Sequence, residues 1–219
     1  MSKICVTIRA ETQKQTLEEI KAAKAGDIIE VRLDYRKESL NLKALRMSTE
    51  KPFIATNRRA DQGGLASEPE HERVKLLIEA TEAGFNYIDI ASTTTDLKNI
   101  IEGIKKKGSS VILSHHDYKN SLNLSQLESK HNELAMLGPD IIKIIGWTNN
   151  YSDNLPYLEY NNKHPGNISF GMGEHGTISR VLAPLTGALY TYASSQLGKE
   201  LAPGQVPLAE LRETYRRIL

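Results

Sequence analysis

One cysteine, one tryptophan and three phenylalanines are all that this 219-residue chain holds of those types. A lone thiol, Cys5, excludes an internal disulfide framework and fits a reducing compartment. In a first strand it reads as a small buried hydrophobe. No stretch approaches the ~18 consecutive apolar residues of a membrane span. The opening Met1-Ser2-Lys3-Ile4-Cys5-Val6 lacks the apolar core of a secretory leader. Net charge is also nearly missing. With 28 Lys and Arg against 27 Asp and Glu, the balance of +1 exerts no overall pull on nucleic acid or membrane. There is no glycine-rich phosphate loop, no CxxC or HExxH spacing, no low-complexity run and no Pro/Gly/Ser linker. These absences leave a cytoplasmic chain folded as one domain, residues 1–219, with neither nucleic acid nor membrane as partner.

What is present is an alternation of short β-rich runs with longer amphipathic ones. Strands are expected at Ile4 to Ile8, Asp27 to Asp34, Phe53 to Asn57, Asn86 to Ile90, Ser110 to Ser114, Ile141 to Ile145, Asn167 to Gly171 and Leu189 to Tyr192. Helices are expected over 12–25, 39–46, Glu68 to Ala83, Asp96 to Lys107, Leu124 to Leu137, about 150–161, from Thr177 to Leu182, and Leu208 to Ile218. Pro156 weakens the sixth of these helices. Eight β-then-α units in this length suggest a single (β/α)8 TIM barrel. A doubly wound open sheet is the alternative. It usually carries glycines after its first strand, where this chain has Arg9-Ala10-Glu11-Thr12.

In such a barrel, chemistry sits at the C-terminal ends of the strands. The most informative segment is Asp140-Ile141-Ile142-Lys143-Ile144-Ile145-Gly146. An ammonium in so apolar a strand is costly unless it is paired or gives up its charge. A neutral lysine is a nucleophile toward carbonyls, so Lys143 is a candidate Schiff-base residue. The competing reading is a lysine whose stem packs while its head reaches water. Strand two presents Glu30, Arg32 and Asp34 on one face, because side chains alternate. Arg58 and Arg59, with Gly63 and Gly64 following, suit a carboxylate or phosphate, or a solvated loop. Of the adjacent His115 and His116, alternation sends only one into a barrel mouth, where it could act as a general acid/base. Their spacing is poor for a metal, and no third ligand stands out. Gly171-Met172-Gly173 allows close approach to a ligand, Arg180 near a helix start could bind an anion, and Ser194 to Gln205 looks like a mobile lid or a plain connection.

Taken in order, Glu30-Val31-Arg32-Leu33-Asp34, Ser114-His115-His116-Asp117-Tyr118, Ile142-Lys143-Ile144, Gly176-Thr177-Ile178-Ser179-Arg180 and Ala202-Pro203-Gly204-Gln205 make the chain resemble the type I 3-dehydroquinate dehydratases over nearly its whole length. The resemblance implies a (β/α)8 barrel, usually dimeric, with no metal or organic cofactor. It implies a hydro-lyase of the shikimate pathway, in aromatic amino acid biosynthesis, acting on 3-dehydroquinate. Lys143 would form an imine with the C3 carbonyl. His116, not His115, would remove the C2 proton and then protonate the departing C1 hydroxyl. Family binding residues align with Glu30, Arg32, Arg58, Met172, Arg180 and Gln205. Arg180 would hold the substrate carboxylate, and Glu30, Arg32 and Arg58 the ring hydroxyls or one another.

Two positions depart from the pattern. Many members orient the histidine with a glutamate in a strand-four Asp-x-Glu, but here the segment is Asp89-Ile90-Ala91. Asp89 shares that face one pleat lower and is the expected substitute, directly or through a water. Many members also place a serine where this lid has Leu201. Two rival functions follow from the same residues: a class I Schiff-base aldolase acting on a sugar phosphate, and a non-catalytic carboxylate-binding barrel in which Ala91 and Leu201 mark decay.

Overall fold

The computed structural model describes residues 2–196 and 199–219. Its eight expected strands are all found: β1 (Ile4–Arg9), β2 (Ile28–Arg32), β3 (Phe53–Thr56), β4 (Tyr87–Ala91), β5 (Ser110–Asp117), β6 (Ile141–Trp147), β7 (Ile168–Met172) and β8 (Thr191–Ser194). A ninth, two-residue strand, β9 (Val206–Pro207), gave no sequence signal. Every pairing is parallel, and neighbours follow chain order from β1 to β7, with β8 returning to β1. Parallel pairing requires crossovers, and these are α1 (Gln13–Ala22), α2 (Leu42–Arg46), α3 (Glu70–Glu82), α4 (Leu97–Lys106), α5 (Leu124–Ala135), α6 (Leu155–Lys163) and α7 (Thr177–Leu182), before the closing α8 (Leu208–Ile218). The fold is the TIM barrel.

The β7–β8 seam closes differently from the rest. At its base, Leu189 N donates to Asn167 O at 3.0 Å and Gly166 N to Gly187 O at 2.9 Å. Higher up, β9 takes the free edge of β8, and Gly173 N donates to Pro203 O at 3.4 Å. The segment expected to be only a lid is therefore partly built into the wall. Residues 197 and 198 of that segment lie outside the described residues.

Alternation divides each strand between two apolar clusters. Val6, Ile8, Ile29, Val31, Ile88, Ile90, Leu113, Ile142 and Ile144 face the helices, where they meet Ile20, Leu77, Ile101, Leu127, Tyr157 and Leu211. Full burial of such a side chain contributes ~1.5–3 kcal/mol, so this shell carries much of the stability. Cys5, Ile28, Ile54, Ile112, Ile141, Ile168 and Tyr190 pack together in the second cluster, inside the barrel.

Several boundaries moved for identifiable reasons. β5 runs to Asp117, three residues past its expected end, because His115, His116 and Asp117 pair with Ile144, Ile145 and Gly146. Polar side chains at a barrel mouth hide a strand from hydropathy. β2 stops at Arg32, and the turn Leu33–Tyr35 folds Asp34 back onto it. Pro156 does no harm. It lies in the first turn of α6, where a missing N–H leaves no helical bond unmade.

Candidate active site

One position above the apolar inner cluster, the same alternation brings Thr7, Glu30, Thr56, Asp89, Ser114, Lys143 and Tyr192 into the barrel, all buried. Lys143 comes from the middle of β6. Its Nζ donates to Asp89 Oδ2 at 3.0 Å and to the Tyr192 hydroxyl at 3.1 Å. The strand is apolar toward the helices, but inside the barrel Lys143 has a carboxylate partner. Asp89 is shared further: Oδ1 accepts from Arg58 Nη2 at 2.6 Å and from Ser114 Oγ at 2.7 Å. Burial would raise the Asp89 pKa, but Lys143, Arg58 and Ser114 outweigh it and hold it at about 2.

His116, one pleat higher on β5, faces the same space, while His115 turns the other way toward Ser92. Asp89 does not touch the imidazole. Instead, Arg58 Nη1 lies 2.9 Å from His116 Nδ1. Any link from Asp89 to the ring runs through Arg58, because the carboxylate itself bonds Arg58, Lys143 and Ser114. A guanidinium only donates, so Nδ1 holds the lone pair and the neutral ring carries its proton on Nε2. Burial, then the charges of Arg58 and Lys143, push His116 well below its ordinary 6.5.

A cavity of about 160 Å³ opens above these groups. Glu30, Arg32, Arg58, His116, Lys143, Met172, Arg180 and Gln205 all line it, so every residue expected to contact substrate is brought together. Asp89 stands behind them. Their commitments differ. Arg32 is held by both oxygens of Asp34, at 2.8 and 2.7 Å, and stacks on Tyr35. Glu30 accepts from Thr56 Oγ1 at 2.8 Å. Arg180 has no carboxylate among its described contacts. It lies 4.3 Å over the Phe170 ring, donates through Nη2 to Pro203 O at 3.3 Å, and leaves its buried Nε without a partner. Burial pushes it down to about 10. A desolvated guanidinium with unmet donors is a seat for an anion.

Lid residues Leu201, Ala202 and Pro203 cover the cavity. Leu201 N donates to Gln205 Oε1 at 2.8 Å, and Gln205 Nε2 reaches Thr7 Oγ1 at 3.3 Å. Gly204 has φ of 76° and packs on the Gly173 carbonyl, where a side chain would collide. Thr7, Tyr118, Phe170 and Tyr192 also line the cavity and were not singled out in the sequence. The inward alternation of β1, β7 and β8 was the available signal for three of them. Among the described residues, no group of three or more His, Cys, Asp or Glu could hold a metal ion, and no helix is long and apolar enough to cross a membrane.

Comparisons agree with this geometry. The family model described as Type I 3-dehydroquinase matches residues 4–218. The 3-dehydroquinate dehydratase of Dehalococcoides mccartyi strain CBDB1 is 32% identical over 217 residues, covering 98% of this chain and 95% of that protein. The one from Thermococcus gammatolerans is 33% identical, covering 96% of each. A crystal structure of a type I 3-dehydroquinate dehydratase from Clostridium difficile, solved with covalently modified comenic acid, superposes with a TM-score of 0.87 at 26% identity over 99% of this chain and 92% of that one. A 3-hexulose-6-phosphate synthase, at 16% identity and a TM-score of 0.60, shares the fold alone.

Proposed function

Since the chain belongs to the type I 3-dehydroquinase family, we propose how the residues of this cavity divide its reaction between them. The protein is a 3-dehydroquinate dehydratase, a hydro-lyase of the shikimate pathway that removes water from 3-dehydroquinate. Lys143 is the imine-forming residue. Its nitrogen replaces the C3 carbonyl oxygen of the substrate, and the protonated imine so formed inherits the Asp89 partner of the ammonium. His116 takes the C2 proton, and the C–H electron pair runs into the imine to give an enamine. The enamine expels the C1 hydroxyl, which leaves as water with the proton held by His116. Hydrolysis then frees 3-dehydroshikimate and Lys143.

Arg180 receives the substrate carboxylate. The observation that carries the assignment is that its buried guanidinium, with Nε unpartnered, lines the same cavity as Lys143 and His116. Glu30 and Arg32, pinned by Thr56 and Asp34, offer fixed partners for ring hydroxyls, while Met172 and Gln205 close the sides. Substrate oxygens that draw Arg58 from His116 free the ring lone pair for the C2 proton. Residues 1–219 act as one catalytic unit, a reading supported by the single continuous sheet. The family resemblance supports a homodimer, and the one buried free thiol a cytoplasmic setting.

Borohydride reduction in the presence of 3-dehydroquinate, followed by peptide mass spectrometry, tests substrate, imine and residue together. The adduct is expected on the peptide containing Lys143. A mass gain on any other peptide overturns the assignment.

A further inference from the structure

Imine formation asks more of the site than a lysine. An ammonium must shed a proton before it attacks, and the oxygen it displaces must collect two. The groups around Nζ differ in their fitness for this traffic. Asp89, held at about 2, is a poor base. The Ser114 hydroxyl already donates to Asp89. His116 is turned to Arg58. Among the described residues, the remaining hydrogen-bond partner of Nζ is the Tyr192 hydroxyl, 3.1 Å away, on a ring whose centroid lies 4.3 Å from Nζ. Tyr192 is buried, lines the cavity, and is wedged edge-on between Phe170 and Tyr190, with centroids at 6.1 and 5.4 Å. Its oxygen is therefore fixed with respect to Nζ. In the carbinolamine, the former carbonyl oxygen is two bonds from Nζ, so a group bonded to one can reach the other.

We propose that Tyr192 is a third catalytic residue of this enzyme, relaying protons from Lys143 Nζ to the substrate's carbonyl oxygen during imine formation. The inference rests on Lys143 being the imine-forming residue. In the first transfer, the phenol oxygen takes a proton from the ammonium as its own proton passes to the carbonyl oxygen, and the Nζ lone pair forms the C–N bond. In the second, a remaining N–H proton passes the same way to the hydroxyl. The C–O bond breaks, water leaves, and the nitrogen lone pair completes the C=N bond. Tyr192 ends neutral, and the positive charge of the ammonium reappears on the imine. Burial raises the phenol well above its ordinary range, so a free phenolate is disfavoured and each transfer passes one proton in as another leaves.

Tyr192→Phe keeps the ring and its packing but removes the relay. Enzyme is mixed rapidly with 3-dehydroquinate, quenched with borohydride at intervals, and the adduct on the Lys143 peptide is followed by mass spectrometry. Adduct formation is expected to slow by about 10²-fold, with KM little changed. Adduct formation at the wild-type rate overturns the relay. If the wild-type enzyme itself gives no adduct at Lys143, the imine assignment fails instead, so the two failures are distinct. On the wild-type enzyme, the rate of adduct formation in mixed light and heavy water is expected to curve with deuterium fraction, because two protons move together. A linear or absent dependence overturns the relay however the variant folds.

Discussion

Two tiers of the same barrel interior, one pleat apart on the same strands, have opposite chemistry. The lower tier is Cys5, Ile28, Ile54, Ile112, Ile141 and Ile168, apolar and held by contact alone. The tier above, on the same strands, is Thr7, Glu30, Thr56, Ser114, Lys143 and Phe170, joined by Asp89 of β4. The lower tier tolerates no charge because it has no partners to offer. The upper tier holds two carboxylates and a lysine because each is bonded: Glu30 accepts from Thr56, and Asp89 satisfies Lys143, Ser114 and the Arg58 above them. Burial gives the lower tier stability. In the upper tier it gives reactivity, since the charges it encloses cannot be screened by water.

The largest expected break comes from substituting one residue in each tier of β6. Lys143→Ala should lower kcat/KM by at least about 10⁴-fold in a steady-state assay. Ile141→Ala, two residues earlier on the same face, should cost about 2–5 kcal/mol in denaturant unfolding while still forming the adduct. His116→Ala should lower kcat by about 10²–10⁴-fold yet leave borohydride trapping at Lys143 intact, separating imine formation from proton removal.

Asp89→Asn should destabilise the fold by about 3–5 kcal/mol, because it strands two buried cations. The sign with pH follows from the Asp89 shift. Its folded pKa of about 2 lies below the ~3.9 of an unfolded chain. Its contribution is therefore complete above that value and is lost as pH falls through about 2. Acid unfolding curves of wild type and Asp89→Asn should converge there. Arg180→Gln should raise KM by about 10–100-fold, the equivalent of charge-assisted hydrogen bonds worth ~1.5–3 kcal/mol. The smallest effect concerns Arg58. Its charge adds to burial in holding His116 below 6.5, so Arg58→Met should move the acid limb of the kcat/KM profile toward neutral pH. An unmoved limb would mean that the His116–Arg58 contact does not govern the titration.

The barrel was legible because short β-rich runs alternate with amphipathic ones along the chain. Period-two alternation sent one of His115 and His116 inward and placed Glu30 and Arg32 on one face, while the choice of His116 and the binding roles of Arg58, Met172, Arg180 and Gln205 came from the family resemblance. Alternation failed at mouth ends such as His115 to Asp117, where polar side chains obscure a strand, and at Val206–Pro207, which is too short to show a period. Ala91 announced that the histidine lacked a carboxylate, and Asp89 was the reasonable substitute from its place on β4.

What the sequence by itself determined is which side chains point inward and at what height, since pleating is a local property of the backbone. Only the tertiary structure decided which of those neighbours bond to one another. Arg58 from the end of β3 stands between Asp89 and His116, and Tyr192 reaches Lys143 from β8. Both pairings cross strands far apart in the chain, and their distances are set by the closure of the barrel, which no local pattern encodes.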